Sequence, residues 1–380
     1  MRDGYKPVGR WLPGALYAFK ESDRGPCLCD AHRYEKQAST REAAHIARKG
    51  GHVKFLVTGA TGFIGKHLTE LLLREGHQLV CLVRDPTKLG IGVAERVQVI
   101  RGDLSIFRDE ALALPEVDVV VHLAAVIAGK NDAEYASINY DAVRDVLAAL
   151  RRQTWQPRRV LFASSLAAAG PNRGELPHTE DDDLAPIEPY GEAKANAEKL
   201  MRAQPFPTTS FRPPIVLGAG DPATLTLYKM AASGMALLPS GPPQKLSFIA
   251  VDDLARAIVR MAQDASEAHR TYYVTHEHAI TNRTLLFAMS HALNPHTKRG
   301  LRIVPVPHVA LLGLMHLSSA VSTWIGFKNQ LDRKQYEQMT APSFVCTSAR
   351  LTRDTGWVAS TSLAAITEEA VKGYRALGQL

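Results

Sequence analysis

Cysteine is scarce in this sequence. The 380-residue chain has four cysteines, Cys27, Cys29, Cys81 and Cys346. Four cysteines at these positions are too few and too scattered for a disulfide framework. Cys27 and Cys29 form a Cys-x-Cys pair without a second pair of ligands, so no metal site is predicted. We therefore expect a reducing, cytoplasmic compartment.

Long apolar runs are also lacking. The N-terminus shows no uninterrupted apolar core of a secretory signal. The stretch Val309–Phe327 has no Asp, Glu, Lys or Arg, but it contains His316 and several Ser and Thr residues. It barely reaches the length of a membrane-spanning helix. We expect a buried or substrate-lining helix here rather than a transmembrane segment, with peripheral membrane contact as the alternative.

Charge of one sign does not dominate the main part of the chain. The formal net charge is +7, and residues 1–52 carry ten Lys and Arg against six Asp and Glu. Beyond residue 52 both signs are mixed, and no basic face is interleaved with aromatic residues. Binders of single-stranded nucleic acid use such a face. We therefore expect no nucleic-acid partner, and a basic groove for a phosphorylated cofactor fits the charge better.

Strand-like and helix-like segments alternate from residue 53 onwards. Short apolar runs predict strands at 53–58, 78–83, 97–101, 117–123 and 159–163, and periodicity predicts helices at 66–75 and 133–150. This alternation is typical of βαβ units. It predicts an α/β fold, a Rossmann doubly wound parallel sheet with a smaller, discontinuous C-terminal substrate region.

These patterns divide the chain into three parts. Residues 1–52 are polar and lack sustained periodicity, so they are expected to be a disordered or non-domain extension. Residues 53–220 plus 245–266 make the predicted NAD(P)-binding domain, and residues 221–244 plus 267–380 make the predicted substrate-binding region. A strand beginning at Phe248 should lead into a helix with Asp252 or Asp253 as its N-cap.

A glycine turn follows the first predicted strand. Gly59, Gly62 and Gly65 are spaced three residues apart, directly between that strand and a helix. The first glycine permits the tight turn, the second admits a pyrophosphate, and the third lets the helix pack closely on the strand. The helix N-terminus then supplies partial positive charge. The predicted phosphate-binding residues are Gly59, Thr61, Gly62, Phe63, Ile64 and Gly65.

The end of the second strand indicates which dinucleotide binds. NAD-binding proteins commonly place an acidic residue there to accept a hydrogen bond from the ribose 2′-hydroxyl. This chain has Arg84 at that point, followed by Asp85. Arg84 can pair with a 2′-phosphate, which favours NADP, while Asp85 leaves NAD as the alternative.

A second motif has the residues of a proton relay. Tyr190 and Lys194 are spaced i, i+4 and lie on one face of a predicted helix. A phenol has a pKa of about 10, and a neighbouring ammonium should lower the pKa of Tyr190. Ser164 and Ser165 end the fifth predicted strand, where ligands meet an open α/β sheet. A serine hydroxyl there can hydrogen-bond a substrate oxygen.

The glycine turn, the strand-end serine and the Tyr/Lys helix, in this order, resemble the extended short-chain dehydrogenase/reductase family. The resemblance is narrower to its NAD-dependent epimerase/dehydratase group, with affinity to 3β-hydroxysteroid-dehydrogenase-like and dihydroflavonol-reductase-like members. It covers about residues 53–378. It implies an enzyme that uses a nicotinamide cofactor and a small-molecule substrate, and the family's habit suggests a homodimer.

The resemblance also assigns roles to further positions. Asp103 and Leu104 match the pair that contacts adenine, and Leu123, Ala124 and Ala125 match the segment along the cofactor. Ser165 rather than Ser164 matches the catalytic serine, since Gly170 lies five positions after it. Asn139 matches a helix asparagine that supports the active site, and Pro213 matches the segment at the nicotinamide end. The predicted catalytic set is Ser165, Tyr190, Lys194 and Asn139, with Tyr190 and Lys194 also on the cofactor.

Two reactions remain open at this point. The first is hydride transfer between nicotinamide and a carbonyl or secondary alcohol, with Tyr190 as general acid/base. The alternative is nucleotide-sugar epimerisation with a retained NAD, for which Arg302, Arg283 or Lys245 could bind the diphosphate. The loop after Ser165 lacks the Asp-Glu pair of sugar-nucleotide dehydratases, which disfavours dehydration. A non-catalytic dinucleotide sensor would not need the Ser, Tyr and Lys set.

Overall fold

The computed structural model describes residues 52–90, 92–127, 129, 131–295, 300–313 and 333–380. The predicted N-terminal extension, except for His52, lies outside these ranges. So does the apolar stretch Val309–Phe327 beyond residue 313. Within the described ranges, no helix combines the length and apolar composition needed to cross a membrane.

A seven-stranded sheet is the centre of the fold. In chain order, the strands of the described residues, in this sheet and in smaller ones, are β1 (Lys54–Thr58), β2 (Gln78–Val83), β3 (Gln98–Arg101), β4 (Val119–His122), β5 (Arg159–Ala163), β6 (Thr208–Arg212), β7 (Ile215–Leu217), β8 (Met235–Pro239), β9 (Lys245–Leu246), β10 (Phe248–Ala250), β11 (Arg270–Tyr273), β12 (Ile280–Thr281), β13 (Arg302–Val306) and β14 (Ser343–Phe344). The sheet order is β11-β6-β5-β4-β1-β2-β3, and every pair in it is parallel. This confirms the predicted α/β fold class.

Helices cover both faces of this sheet. The helices of the described residues are α1 (Phe63–Arg74), α2 (Asp132–Ala136), α3 (Ala142–Arg152), α4 (Pro189–Arg202), α5 (Pro222–Ala232), α6 (Val251–Ala262), α7 (Asn282–Leu293), α8 (Arg333–Thr340), α9 (Ala349–Thr355) and α10 (Leu363–Ala376). Of these, α1 and α6 cover one face of the sheet, and α3 and α4 cover the other. A π-helical turn, Ser137–Asp141, joins α2 to α3. The predicted helix at 133–150 therefore contains a π turn.

Strand alternation explains the two layers of core. Phe55 and Val57 pack into a cluster with α1 and α6, whereas Leu56 packs on the opposite side with α3 and α4. Successive side chains of a strand point to opposite faces. Because β1 lies in the middle of the sheet and is covered on both faces, its residues read as one continuous apolar run.

Two local expectations differ from the structure. Helix α1 begins at Phe63 rather than Lys66, because Gly62 already stands at its N-cap position. The N-cap of α6 is Ala250, so the prediction of Asp252 or Asp253 was wrong. Both carboxylates point elsewhere: Asp252 hydrogen-bonds to His67, and Asp253 accepts from the backbone N–H groups of Ser360 and Thr361.

The remaining strands make three small sheets. β7 pairs with β10, β8 with β13, and β9 with both β12 and β14. Helices α5, α7 and α10 pack around Tyr228, Leu285 and Tyr374 in a third apolar cluster. One strand crosses the predicted division of the chain: β11 belongs to the large sheet, although its residues fall in the segment assigned to substrate binding.

Replacing Gly65 by Ala should destabilise the fold. A Cβ atom at this position would lie 2.1 Å from the carbonyl oxygen of Gly59 and 2.8 Å from the Cα of Ala60, both backbone atoms. Overpacking against rigid backbone costs about 3 kcal/mol, and we expect a loss of this size in the free energy of unfolding. Denaturant titration followed by circular dichroism measures it.

The control is Gly174→Ala, because a Cβ atom at Gly174 meets nothing within 4 Å. Equal unfolding free energies for the two variants would show that helix α1 does not depend on its close approach to the glycine turn.

Candidate functional site

The predicted site residues converge at one edge of the large sheet. Parallel strands have their carboxyl ends at the same edge, and the predicted residues follow β1, β2, β3, β4, β5 and β6. Gly59 follows β1, Arg84 follows β2, and Leu123 follows β4. Ser165 and Pro213 follow β5 and β6. Clefts outside the carboxyl ends of such strands are where α/β sheets bind ligands.

The glycine turn lies against the end of β4. Gly59 has φ +77°, which favours glycine, and a Cβ atom there would lie 2.7 Å from the backbone N of Ala124. The backbone N–H of Gly62 donates to the carbonyl of Gly59 at 3.0 Å. The turn is thus held against the predicted cofactor segment Leu123–Ala125.

The N-terminus of α1 has the chemistry of an anion site. Gly62 is exposed and stands at the N-cap position, where it provides no side chain to cap the helix. The first N–H groups of a helix need an acceptor, and the helix dipole favours a negative charge there. Phe63 and Ile64 are half-buried beside this end, and Thr61 lies in the turn. These residues fit the pyrophosphate of a dinucleotide.

The ends of β2 and β3 carry the predicted ribose and adenine residues. Arg84 is exposed. Asp85 is already engaged, since its carboxylate accepts from the hydroxyl of Thr87 at 2.7 Å and from its N–H at 3.1 Å. These bonds lower the pKa of Asp85. Asp103 accepts from Ser105 in the same way, and Leu104 is half-buried against the second core cluster.

Ser165 and Tyr190 meet at this edge. The side chain of Ser165 lies near enough to the Tyr190 hydroxyl to lower the pKa of that phenol. The Ser165 oxygen also accepts from the N–H of Ala167 at 3.1 Å, and the N–H of Leu166 donates to the carbonyl of Pro213 at 2.9 Å. The serine is therefore held by its own turn and by the end of β6.

The pKa of Tyr190 differs from the sequence expectation. Burial raises it above the ordinary value of a phenol, and the nearby side chain of Ser165 opposes this only in part. Tyr135 lies edge-on against Tyr190, with ring centroids 6.4 Å apart. The Lys194 ammonium donates to the carbonyl of Ala163, and burial has the largest effect on the pKa of Tyr190. The phenol is thus held in its protonated form.

Lys194 is buried between the end of β5 and the ring of Tyr190. Its Nζ donates to the carbonyl of Ala163 at 2.7 Å and lies 5.7 Å from the Tyr190 ring centroid. It also lies 4.7 Å from the ring centroid of Phe162, a favourable cation–π distance. Burial lowers the pKa of Lys194 to about 7, opposed by the charge of Glu198.

The side chain of Asn139 bonds to the backbone of Val126 and not to Ser165, Tyr190 or Lys194. It is fully buried in the π-helical turn. Its amide donates to the carbonyl of Val126 at 2.9 Å, and its side-chain oxygen accepts from the N–H of Val126 at 3.2 Å. Asn139 therefore anchors the backbone just beyond Leu123–Ala125, and its contacts describe a supporting position.

One residue of this region was missed by the sequence reasoning. Glu198 is fully buried and accepts hydrogen bonds from Ser164 and Arg212. It lies four residues after Lys194, which itself lies four after Tyr190. That continued i, i+4 spacing was the available signal. The two adjacent serines therefore have different contacts: Ser164 bonds to Glu198, whereas Ser165 faces Tyr190.

Residues 55–274 match the family model described as the NAD dependent epimerase/dehydratase family. The match covers more than half of the chain. The chain belongs to this family. This confirms the resemblance drawn from the glycine turn and the Tyr/Lys helix, and it makes the protein an enzyme with a nicotinamide-dinucleotide cofactor.

Members of the family with curated functions differ in their reactions. The chain is 29% identical over 203 residues to ceramide reductase of Caulobacter vibrioides, a match that covers 53% of this chain and 59% of that protein. It is 33% identical over 243 residues to D-erythronate dehydrogenase of Cupriavidus necator, covering 56% of this chain and 72% of that protein. The chain therefore spans less than two thirds of the first of these relatives.

Solved structures share the fold. MoeE5 in complex with UDP-glucose and NAD superimposes with a TM-score of 0.64 and 21% sequence identity. The superposition covers 85% of this chain and 99% of that one. At this identity the likeness establishes the fold alone.

Lys194→Met should change how stability depends on pH. The pKa of Lys194 is about 7 in the folded protein, against about 10.4 in an unfolded chain. Between these values the unfolded chain binds more protons, so the wild-type free energy of unfolding should rise with pH relative to the variant. We expect a rise of about 2 kcal/mol from pH 7 to pH 9. Denaturant unfolding of the cofactor-free protein at both values measures it.

Lys199→Met is the matched control, because Lys199 lies on the same helix and is exposed. If wild type and Lys194→Met differ by the same amount at pH 7 and pH 9, Lys194 keeps an ordinary pKa in the folded protein and the expectation is wrong.

Proposed function

We propose that this protein is an NADP-dependent reductase that converts a ketone to a secondary alcohol, and that the reverse oxidation uses the same residues. The grouping of Ser165 and Tyr190 at the end of β5, with Lys194 buried beside the Tyr190 ring, is the observation that carries this proposal. The bound nicotinamide would supply the hydride.

Tyr190 acts as the general acid in this mechanism. Burial raises the pKa of its phenol, so the O–H is intact at neutral pH and can be donated to the carbonyl oxygen as the hydride arrives. Ser165 donates a hydrogen bond to the same oxygen and orients it. The protonated form of Lys194 stabilises the negative charge that develops on the phenol oxygen.

The same edge of the sheet holds the cofactor. The N–H groups at the start of α1 would bind the pyrophosphate, with Gly62 admitting its close approach. Asp103 and Leu104 would contact the adenine, and Leu123–Ala125 with Pro213 would hold the nicotinamide end. Asn139 supports this path by holding Val126.

NADP rather than NAD is the cofactor we propose. The carboxylate of Asp85 is engaged by Thr87, whereas the guanidinium of Arg84 is exposed at the end of β2. Arg84 also lies near enough to Asp103 to contribute, after the Ser105 hydrogen bonds, to its lowered pKa. An arginine between these positions suits a 2′-phosphate, to which it can bind with two parallel hydrogen bonds.

The proposed substrate is an apolar or amphipathic ketone. The name of the Caulobacter relative, ceramide reductase, supports a substrate with a long apolar part. We place the reaction in the cytoplasm, where the two described cysteines, Cys81 and Cys346, would stay reduced; both are buried free thiols.

Tyr190→Phe should abolish ketone reduction while NADPH still binds. The variant keeps the ring and its packing but removes the proton donor, so we expect kcat to fall by at least about 100-fold, the usual contribution of general acid catalysis. Loss of NADPH absorbance across a panel of apolar ketones measures turnover, and NADPH fluorescence measures binding.

Tyr272→Phe is the matched control, because the Tyr272 hydroxyl donates to Asp354 and the ring lies in β11. Full activity of Tyr190→Phe would refute the assigned acid. A wild-type protein that retains NAD through purification, reduces no ketone and epimerises a sugar nucleotide would overturn the reductase proposal.

Arg84→Ala should impair the use of NADPH selectively. Losing charge-assisted hydrogen bonds to a phosphate costs about 1.5–3 kcal/mol, so we expect KM for NADPH to rise by about 10- to 100-fold with little change for NADH. Initial rates with each cofactor measure the ratio. Arg74→Ala, an exposed arginine at the end of α1, is the control. Equal losses with both cofactors would contradict the proposed role in discrimination.

A further inference from the structure

Glu198 and Arg212 form an ion pair inside the protein. Glu198 is 0% exposed and Arg212 is 2% exposed. The guanidinium donates to both carboxylate oxygens, from Nε at 2.8 Å and from Nη2 at 2.7 Å. Burial opposes the charge on Arg212, but the bonds to Glu198 outweigh it and raise the pKa of the arginine. The two side chains are therefore joined by two parallel hydrogen bonds.

Two further side chains complete this group. The hydroxyl of Ser164 donates to Oε1 of Glu198 at 2.5 Å. Arg212 donates from Nη1 to the hydroxyl of Tyr273 at 3.1 Å, and its guanidinium lies 5.1 Å from that ring centroid. The group thus joins the ends of β5, β6 and β11 to helix α4.

Stability alone is a weak explanation for such a group. Taking two charges out of water costs several kcal/mol per ion, and replacing a buried pair by apolar residues is often neutral or stabilising. A pair of this kind holds its partners in one geometry, because its hydrogen bonds tolerate little displacement.

Three members of the group lie next to a residue of the proposed active site. Ser164 precedes Ser165, Arg212 precedes Pro213, and Glu198 lies one helical turn beyond Lys194. A shift of α4 along the end of β5 would change the distance between Tyr190 and Ser165, and the group opposes that shift.

We propose that Ser164, Glu198 and Arg212 are positioning residues for the catalytic centre: they hold Tyr190 against Ser165, and Glu198, one helical turn from Lys194, sets the electrostatic surroundings of that lysine. The proposal rests on the reductase function proposed above. In this proposal the buried ion pair acts through the active-site residues that it positions, without itself contacting substrate or cofactor.

The surroundings of Lys194 support the electrostatic part. Glu198 faces it from its own helix, Tyr190 lies one turn away on that helix, and Ala163 at the end of β5 provides a carbonyl. From β4, His122 faces it as a neutral ring, since burial and the charge of Lys194 lower the pKa of His122 to about 3. Glu198 is therefore the nearby charge that raises the pKa of Lys194.

The test uses Glu198→Gln and Ser164→Ala. Glu198→Gln removes the charge but keeps the shape. We expect kcat for ketone reduction to fall by about 100-fold, since small misplacements have effects of this size, with NADPH affinity within threefold of wild type. Without the carboxylate, Lys194 loses its proton at lower pH, so the loss of kcat with rising pH should move down by about one pH unit.

Ser164→Ala keeps the ion pair and should fold even if Glu198→Gln does not. Because it removes only the hydrogen bond from Ser164 to Glu198, and Ser164 directly precedes Ser165, we expect kcat to fall about tenfold without a shift of the pH profile. Glu198→Asp keeps the charge, so its pH profile should stay at the wild-type position.

Arg159→Met is the matched control for a purely structural effect. Arg159 is equally buried at the opposite end of β5 and pairs with Asp264 at 3.1 Å. The Arg159→Met change should lower the free energy of unfolding and leave the pH profile of kcat unchanged. If Glu198→Gln behaves like Arg159→Met, or if Ser164→Ala keeps the full kcat, the positioning role is refuted.

A second readout does not depend on ketone turnover. The free energy of unfolding is measured against pH for the Glu198→Gln protein with and without the additional Lys194→Met change. The difference between these two proteins should begin to rise at a lower pH than the difference between wild type and Lys194→Met. No ketone reduction by wild type, together with this shift, would reject the proposed reaction but not the electrostatic coupling. Unchanged Lys194 titration would reject the coupling itself.

Discussion

The site depends on the parallel pairing of β1, β4, β5 and β6. Because these strands run in the same direction, the residues that follow them emerge at one edge of the sheet. The register brings Gly59 against Ala124, and the bond from Leu166 to Pro213 joins the ends of β5 and β6. Reversing any one of these strands would carry the loop that follows it to the opposite edge of the sheet. The contacts among the candidate site residues therefore require the parallel arrangement.

Burial then decides the chemistry of the side chains gathered there. It raises the pKa of the Tyr190 phenol and lowers that of Lys194, so the acid keeps its proton while the ammonium loses its own more readily. Such opposed shifts are common at catalytic sites. The carboxylate of Glu198 partly offsets the effect on Lys194, which links the reacting groups to an ion pair deeper in the fold.

Much of this could be predicted from local patterns. The apolar runs predicted β2 and β5 with their observed bounds, and the glycine spacing predicted the turn before α1. The tight contacts of Gly59 and Gly65 explain why, since only glycine fits there. By contrast, the expected N-cap of α6 and the lowered pKa of Tyr190 were both wrong. Each depends on neighbours distant in the sequence: Asp253 binds the backbone at Ser360 and Thr361, and the surroundings of Tyr190 come from several elements.

The sequence by itself determined the fold class, the glycine turn before α1 and the Tyr190/Lys194 spacing, because these follow from periodicity and from steric limits acting over a few residues. Only the tertiary structure decided which of two adjacent serines faces Tyr190, where Glu198 lies, and how β11 joins the large sheet. Long-range packing sets these features, since burial and charge pairing depend on segments that meet only in the folded chain.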